Sequence, residues 1–382
     1  MSALDGLKIL DVSRLLPGPF CTTILADHGA DVIVVEAPRF RDDPVLGNVP
    51  MVRRNKRHAS LDLKTDAGKE AFFRLVAVSD VLVEGFRPGV MDRLGVGYEA
   101  VKAINKRLIY CALTGYGQTG PLAQRAGHDL NYMATAGMLD LLRDSEGVPL
   151  MPDFQMADLS GSLYAALGIL LALVARERTG EGQYLDVAMT DGLVSLLPLP
   201  LLCQALGKGT PGRPELGSRE WLACYRIYET RDHEYLSVGP LEPHLWIKLC
   251  EKLGCPHYGP VQYDTSKQQE IVNYLQRLFR TKDLKDWLEF FDEPDCCIAP
   301  VNRVRDLHQD PQLSYREMVL FGPTGIPEPG IAPKLSGTPG FLRRPPYEFG
   351  QHTFEILTEI GYSLDQIREM HRNQAAWSPQ TE

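Results

Sequence analysis

Three acid–base side chains stand where the chain could use them. Asp158 opens an otherwise apolar helical stretch, ADLSGSLYAALGILLALVA, in which Ser160, Gly161 and Ser162 leave room beside the carboxyl. A first-turn aspartate is commonly a helix cap, yet small residues at a helix start also let a ligand approach the backbone closely. His128 follows Gly127 at a loop-to-helix junction, where the helix dipole favours a neutral imidazole. Glu242, in GPLEPHLW, reads on its own as a surface-loop acid.

Two further stretches carry possible ligand chemistry. Gly115-Tyr-Gly-Gln-Thr-Gly120 has the GxGxxG spacing and follows a strand. Pro121 comes next and no amphipathic helix opens there, so the dinucleotide fingerprint lacks the helix that would hold a pyrophosphate. The turn is expected instead to line a site at the carboxyl end of its strand. Arg53-Arg-Asn-Lys-Arg-His58 is the densest basic cluster, readable as a solvated loop or as a phosphate clamp. Arg39 and Arg87 each follow a predicted strand. There is no GxSxG, HExxH, P-loop or paired-cysteine metal pattern, so no metal site is expected.

The elements that must position these residues alternate strand and helix. Strands are predicted over Leu7–Ser13, Asp31–Ala37, Val81–Phe86, Leu108–Thr114 and Gln183–Met189, with helices over Pro17–Gly29, Ala67–Ser79, Asn131–Leu142 and Asp158–Arg178. This rhythm predicts an α/β fold with a parallel sheet. A Gly/Pro-rich stretch then marks a change of organisation. The expected layout is a large domain over 1–205, a linker over 206–219, a small domain over 220–325, a second linker over 326–344 and a C-terminal segment over 345–382 that returns to the large domain.

Composition narrows the class. The chain has 382 residues, 44% hydrophobic and 23% charged, with net charge −9. This is ordinary globular composition, and the acidic balance argues against a nucleic-acid partner. Eight cysteines without a CxxC read as reduced, mostly buried thiols. The N-terminal residues lack a signal-peptide pattern. The apolar run Leu163–Ala175 is shorter than the roughly 20 residues a bilayer span needs, so a buried core helix and a cytoplasmic protein without a membrane partner are expected.

Taken together, LKILDVSRLLPGPFCTTILADHGADVIVVEAP, RRNKRHASLDLKTDAGKE, DVLVEGFRPGVMDRLGVGYE, RLIYCALTGYGQTGP, ADLSGSLYAALGILLAL and RTGEGQYLDVAM resemble successive blocks of the family III CoA-transferases and the related α-methylacyl-CoA racemases. The resemblance runs over essentially the whole chain. It implies a Rossmann-like large domain, a smaller α+β domain and an interlocked homodimer. Asp158 matches the family's catalytic aspartate: a nucleophile toward the thioester in the transferases, a proton carrier in the racemases. GHDLNY (127–132) is similar to the racemase motif GHDINY, whose histidine is the second base, and Glu242 matches a racemase glutamate that would orient His128 or stabilise its cation. By the same resemblance, CoA would lie along Arg39, Ser60, Leu61, Asp62 and Leu63, and along Gly127, His128, Asp129, Leu130, Asn131 and Tyr132, with Arg87 as a further contact. No cofactor is implied beyond the CoA of the substrate. The expected reaction is inversion at C2 of a 2-methyl-branched acyl-CoA by two-base proton transfer. CoA transfer through a covalent intermediate on Asp158 is the alternative. The first reading requires a raised pKa at Asp158 and backbone N–H groups near a helix start to hold the enolate.

Overall fold

A computed structural model describes residues 1–42, 49–144, 146–207, 222–292, 296–322 and 325–381. They form two compact units: one built from Met1–Asp144, Val148–Leu196 and Tyr315–Glu382, the other from Leu197–Ser314 with residues 146–147. Most of the linker expected at 206–219 lies outside the described residues.

The first unit runs β1 (Lys8–Asp11), α1 (Pro17–Asp27), β2 (Asp31–Glu36), β3 (Lys56–Leu61), α2 (Asp66–Ala77), β4 (Val81–Glu84), α3 (Val90–Arg93), α4 (Tyr98–Ile104) and β5 (Ile109–Thr114). It continues with α5 (Asp129–Thr135), α6 (Met138–Leu141), α7 (Met156–Thr179), β6 (Tyr184–Ala188) and α8 (Met189–Ser195). The second unit holds α9 (Pro198–Ala205), β7 (Arg226–Glu229), β8 (Tyr235–Val238), α10 (Pro243–Lys252), α11 (Gln268–Phe279), α12 (Leu284–Phe290), β9 (Ile298–Pro300) and most of α13 (Pro311–Tyr315). The chain then re-enters the first unit with β10 (Val319–Phe321), β11 (Pro327–Pro329), α14 (Thr353–Glu359), α15 (Leu364–Arg372) and β12 (Ala376–Trp377).

The large sheet has the order β12-β3-β2-β1-β4-β5-β6, parallel except for β12, which runs antiparallel to β3. Without β12 this is the 3-2-1-4-5-6 order of a doubly wound sheet, which reverses direction between β1 and β4 and opens its binding crevice at their carboxyl ends. Strands β4 and β5 are buried along their whole length because helices cover both faces, hence their unbroken apolar runs. One face packs Leu10, Val12 and Leu82 against Phe72 and Leu75 of α2 and Ile356 and Leu357 of α14. In the second unit, the antiparallel sheet β7-β8-β9 packs Tyr228, Leu236 and Val238 against Trp246, Leu275 and Phe279.

The basic cluster 53–58 corrects both of its sequence readings: neither a solvated loop nor a phosphate clamp, most of it is buried and its second half forms strand β3. Lys56 Nζ donates to the Pro19 carbonyl and to Thr22 Oγ1, each at 2.7 Å, and lies 3.6 Å from the Asp11 carboxylate. Arg57 pairs with Asp31, Glu355 and Glu359. His58 accepts the Gly350 N–H at Nδ1 and faces Glu36 through Nε2 at 3.0 Å. Arg54 forks onto Asp27 and reaches Glu328 and the Pro329 carbonyl. Buried charge is tolerated because each cation meets carboxylates or carbonyls.

The helix expected over Asn131–Leu142 is two, divided where Gly137 takes φ +80°, a conformation that favours glycine. Helix α7 is not a fully buried core helix either. Its 24 residues are long and apolar enough to cross a membrane by length and composition alone. In the fold it packs on α1, α8 and β5, burying Ala165, Ile169 and Ala172, while Leu163, Leu167, Leu170, Leu171 and Val174 are exposed along the opposite face.

Candidate active site

The crevice at the carboxyl ends of β1, β4 and β5 holds a cavity of about 410 Å³, and both His128 and Asp158 line it. Asp158 sits in the first turn of α7. No side chain within α7 caps that helix. The cap comes from Asp129, whose Oδ1 accepts the N–H of Ala157 at 2.6 Å and of Asp158 at 3.1 Å. Burial, and secondarily the charge of Asp129, push the Asp158 carboxyl up from 3.8 to about 6. It therefore carries a proton over part of the neutral range. The two α7 N–H groups that Asp129 occupies are not spare donors, so an enolate would have to find its donors elsewhere.

His128 is the N-cap residue of α5 and is exposed to the cavity. Its backbone N–H donates to Asn131 Oδ1 at 3.1 Å, which fixes the helix start. Tyr132, one turn on, donates its hydroxyl to the Gly127 carbonyl, and its ring lies so close to Gly115 that a Cβ there would meet the ring at 2.1 Å. The first glycine of the GxGxxG stretch therefore seats an aromatic ring. No helix follows among residues 116–128, in agreement with the rejected dinucleotide reading.

The remaining walls come from loops that the sequence marked only in part. Arg87 lines the cavity after β4. Arg14, Leu15 and Arg125 line it too, and were missed. Leu15 has φ +67°, which is strained for a branched side chain. A buried network holds its loop: Asp11, at the end of β1, accepts from the Ser13 N–H and hydroxyl and from Thr22. A non-glycine residue at positive φ has no signature in sequence. The signal that could have found Arg14 is its place after the first strand of a doubly wound fold.

The other expected contact residues divide. Arg39, Leu61, Asp62 and Leu63 line a second cavity of about 150 Å³, which shares Arg14 and Phe86 with the first. Arg39 pairs there with Asp62 at 3.2 Å. Ser60 is buried inside β3, its N–H donating to Thr353 Oγ1, and its side chain faces neither cavity lining. Leu130 is exposed and Asp129 is turned toward α7; neither lines the first cavity. Glu242 belongs to the second unit, where it is exposed at the N-cap of α10. Among the described residues, no cluster of three His, Cys, Asp or Glu side chains could hold a metal ion.

Fold and site together define a doubly wound α/β protein with a titratable carboxyl and an imidazole facing one crevice at the switch point of its sheet. Residues 4–353 match the model of CoA-transferase family III. The chain is 35% identical to the human α-methylacyl-CoA racemase over 97% of its own length and 96% of that protein's. It is 32% identical to the human succinyl-CoA:glutarate CoA-transferase, over 94% of this chain and 86% of that one. A crystal structure of a CAIB/BAIF family protein from Brucella suis superposes with a TM-score of 0.81 at 30% identity, covering 94% of this chain and 99% of that one. The chain belongs to CoA-transferase family III, a family of enzymes that includes both racemases and CoA-transferases.

Proposed function

We propose that the protein inverts C2 of 2-methyl-branched acyl-CoA thioesters by proton transfer between His128 and Asp158. The carrying observation is a carboxyl held near 6 in the same cavity as an imidazole. In one direction neutral His128 takes the C2 proton and the C–H electron pair moves into the thioester carbonyl, giving an enolate. Protonated Asp158 then donates to the opposite face, leaving a carboxylate and an imidazolium. The reverse direction exchanges the roles. A thioester α-proton is weakly acidic, so a positioned base and acid are expected to contribute about 10²–10⁴-fold each. Glu242 is carried as a third candidate acid on the resemblance alone, to be tested by Glu242→Gln.

A transferase using Asp158 as nucleophile is the second reading, favoured by relatives such as succinyl-CoA:glutarate CoA-transferase at similar identity. It would need the carboxylate form, which the surroundings of Asp158 disfavour below about 6.

The exposed leucine face of α7 supports assembly with a second copy, since soluble proteins rarely leave such patches uncovered. The eight cysteines, all free thiols, suit a reducing, cytoplasmic setting.

The test is exchange in deuterium oxide. A 2-methylacyl-CoA should gain deuterium at C2 with no acceptor acid present. Absence of exchange, together with CoA movement to an added carboxylate and hydroxylamine labelling of Asp158, would establish the transferase.

A further inference from the structure

Strand β4 ends on a buried acid that the chemistry above does not use. Glu84 is 4% exposed, and its carboxyl accepts the Phe86 N–H at 2.7 Å. The residues that follow it, Gly85, Phe86, Arg87 and Pro88, all line the cavity that holds Asp158 and His128, whereas Glu84 does not. A side chain that takes up a backbone N–H two residues on sets the course of the turn between them. The other end of the same turn is tied by Gln124, whose Nε2 donates to the Pro88 carbonyl at 3.1 Å. Glu84 therefore stands behind the cavity wall and fixes the point where the wall leaves the sheet.

The surroundings of this acid are phenols and further acids. Tyr110 of β5 hydrogen-bonds the carboxyl, stacks on Tyr184 of β6 with ring centres 5.3 Å apart, and meets Tyr98 of α4 edge-on. Asp92 of α3, Cys111 of β5 and Asp186 of β6 act on the same cluster, and β1 offers apolar Leu10 and Val12 on this face. None of these groups is a cation. Burial pushes the Glu84 carboxyl up from 4.5 to about 7, against the pull of the Phe86 N–H, and Asp92 pushes it further. In its ionised form the acid accepts both donors through charge-assisted bonds, roughly twice as strong as neutral ones, so the turn is held more firmly by the carboxylate than by the protonated acid.

We propose that Glu84 is a positioning residue of the active site: its carboxylate holds the 85–88 turn in the shape that walls the cavity, and so sets how tightly substrate binds without touching it. The inference rests on the acyl-CoA reading above only for its choice of ligand. Proton transfer belongs to His128 and Asp158, and binding answers to a third acid on the far side of the wall.

The experiment is calorimetric titration of the full-length protein with a 2-methylacyl-CoA at several pH values from about 6 to 8, paired with the C2 exchange assay. Wild type should bind roughly fivefold more tightly at the upper end, the scale of replacing a neutral hydrogen bond by a charge-assisted one. Glu84→Gln keeps an oxygen on the Phe86 N–H but cannot ionise, so it should lose that gain, while its kcat for exchange keeps the wild-type pH profile. Tyr110→Phe leaves Glu84 in place and removes a donor that favours the carboxylate, so the gain should appear at higher pH than in wild type. If wild type binds equally across the range, if Glu84→Gln retains the gain, or if Tyr110→Phe leaves its pH unmoved, the positioning role is overturned and the acyl-CoA reading stands. If wild type shows the gain and Glu84→Gln loses it, yet no C2 proton exchanges, the role of Glu84 stands and the racemase reading falls. If wild type binds no acyl-CoA, both are overturned.

Discussion

Replacing Asp158 with Asn should stabilise the protein while removing its chemistry. The carboxyl ionises near 3.8 in an unfolded chain and near 6 in the fold. Below 3.8 both states hold the proton and nothing is lost. Between the two values the folded state binds more protons, so stability falls as pH rises; above 6 the full cost is present. At 1.36 kcal/mol for each tenfold step, that cost reaches about 3 kcal/mol. Solvent reaches part of the side chain, which reduces the expected figure to about 1–2 kcal/mol. An amide of the same shape cannot ionise and escapes it. Asp158→Asn should therefore melt a few degrees above wild type at pH 8 and together with it near pH 4. In deuterium oxide its C2 exchange should fall by at least about 10²-fold. Scanning calorimetry at both pH values, paired with the exchange assay, is the measurement. A variant that melts at or below wild type at pH 8 would refute the claim that the fold strains this carboxylate.

Asp129→Asn keeps an oxygen on the α7 N–H groups but removes the charge, so the Asp158 pKa should drop below about 6, read by carboxyl chemical shifts; Asp129→Ala should also cost about 1 kcal/mol of helix capping. Lys56→Met strands the Asp11 carboxylate in the interior and should cost about 3–5 kcal/mol in urea denaturation, whereas adding Asp11→Asn should recover part of it. The pH profile separates the two chemistries. A proton relay needs one proton shared between Asp158 and His128 and loses rate on both sides of its optimum, while a nucleophilic carboxylate gains rate through about pH 6 and levels off. Leu167→Glu with Leu171→Glu should convert an assembled species to monomer in sedimentation velocity, and an unchanged species would remove the α7 face from any interface.

The strands that could be read from sequence were those buried by apolar side chains, as in Asp31–Glu36 and Ile109–Thr114. Strand β3 was not, because Lys56, Arg57 and His58 look solvated in any local window. Their partners, Asp11, Asp31, Glu36, Glu355 and Glu359, come from as far as 302 residues away. The same division holds in the site. Asp158 and His128 could be singled out because small residues and a helix start surround them. Asp129 looked like one more member of the motif; only the structure shows its carboxylate turned away to hold another helix. Arg14 and Leu15 owe their place to the buried Asp11–Ser13–Thr22 network, which leaves no periodic pattern.

The buried contacts of Arg54 and Asn55 also set an order in time. Asp27, Arg54 and Asn55 are made early, but the groups that complete them, Glu328, the Phe341 carbonyl and the Arg343 and Arg344 N–H groups, come after the whole second unit in the sequence. During synthesis, a nascent chain that has just left the ribosome with its first six strands can pair Arg54 and Asn55 with Asp27, but leaves Arg54 Nη1 and Asn55 Oδ1 without their later partners. At about 5–20 residues per second, the roughly 140 residues from the end of β6 to Glu328 take on the order of ten seconds. For that interval the segment leading into β3 waits for its C-terminal partners, while the whole second unit is synthesised.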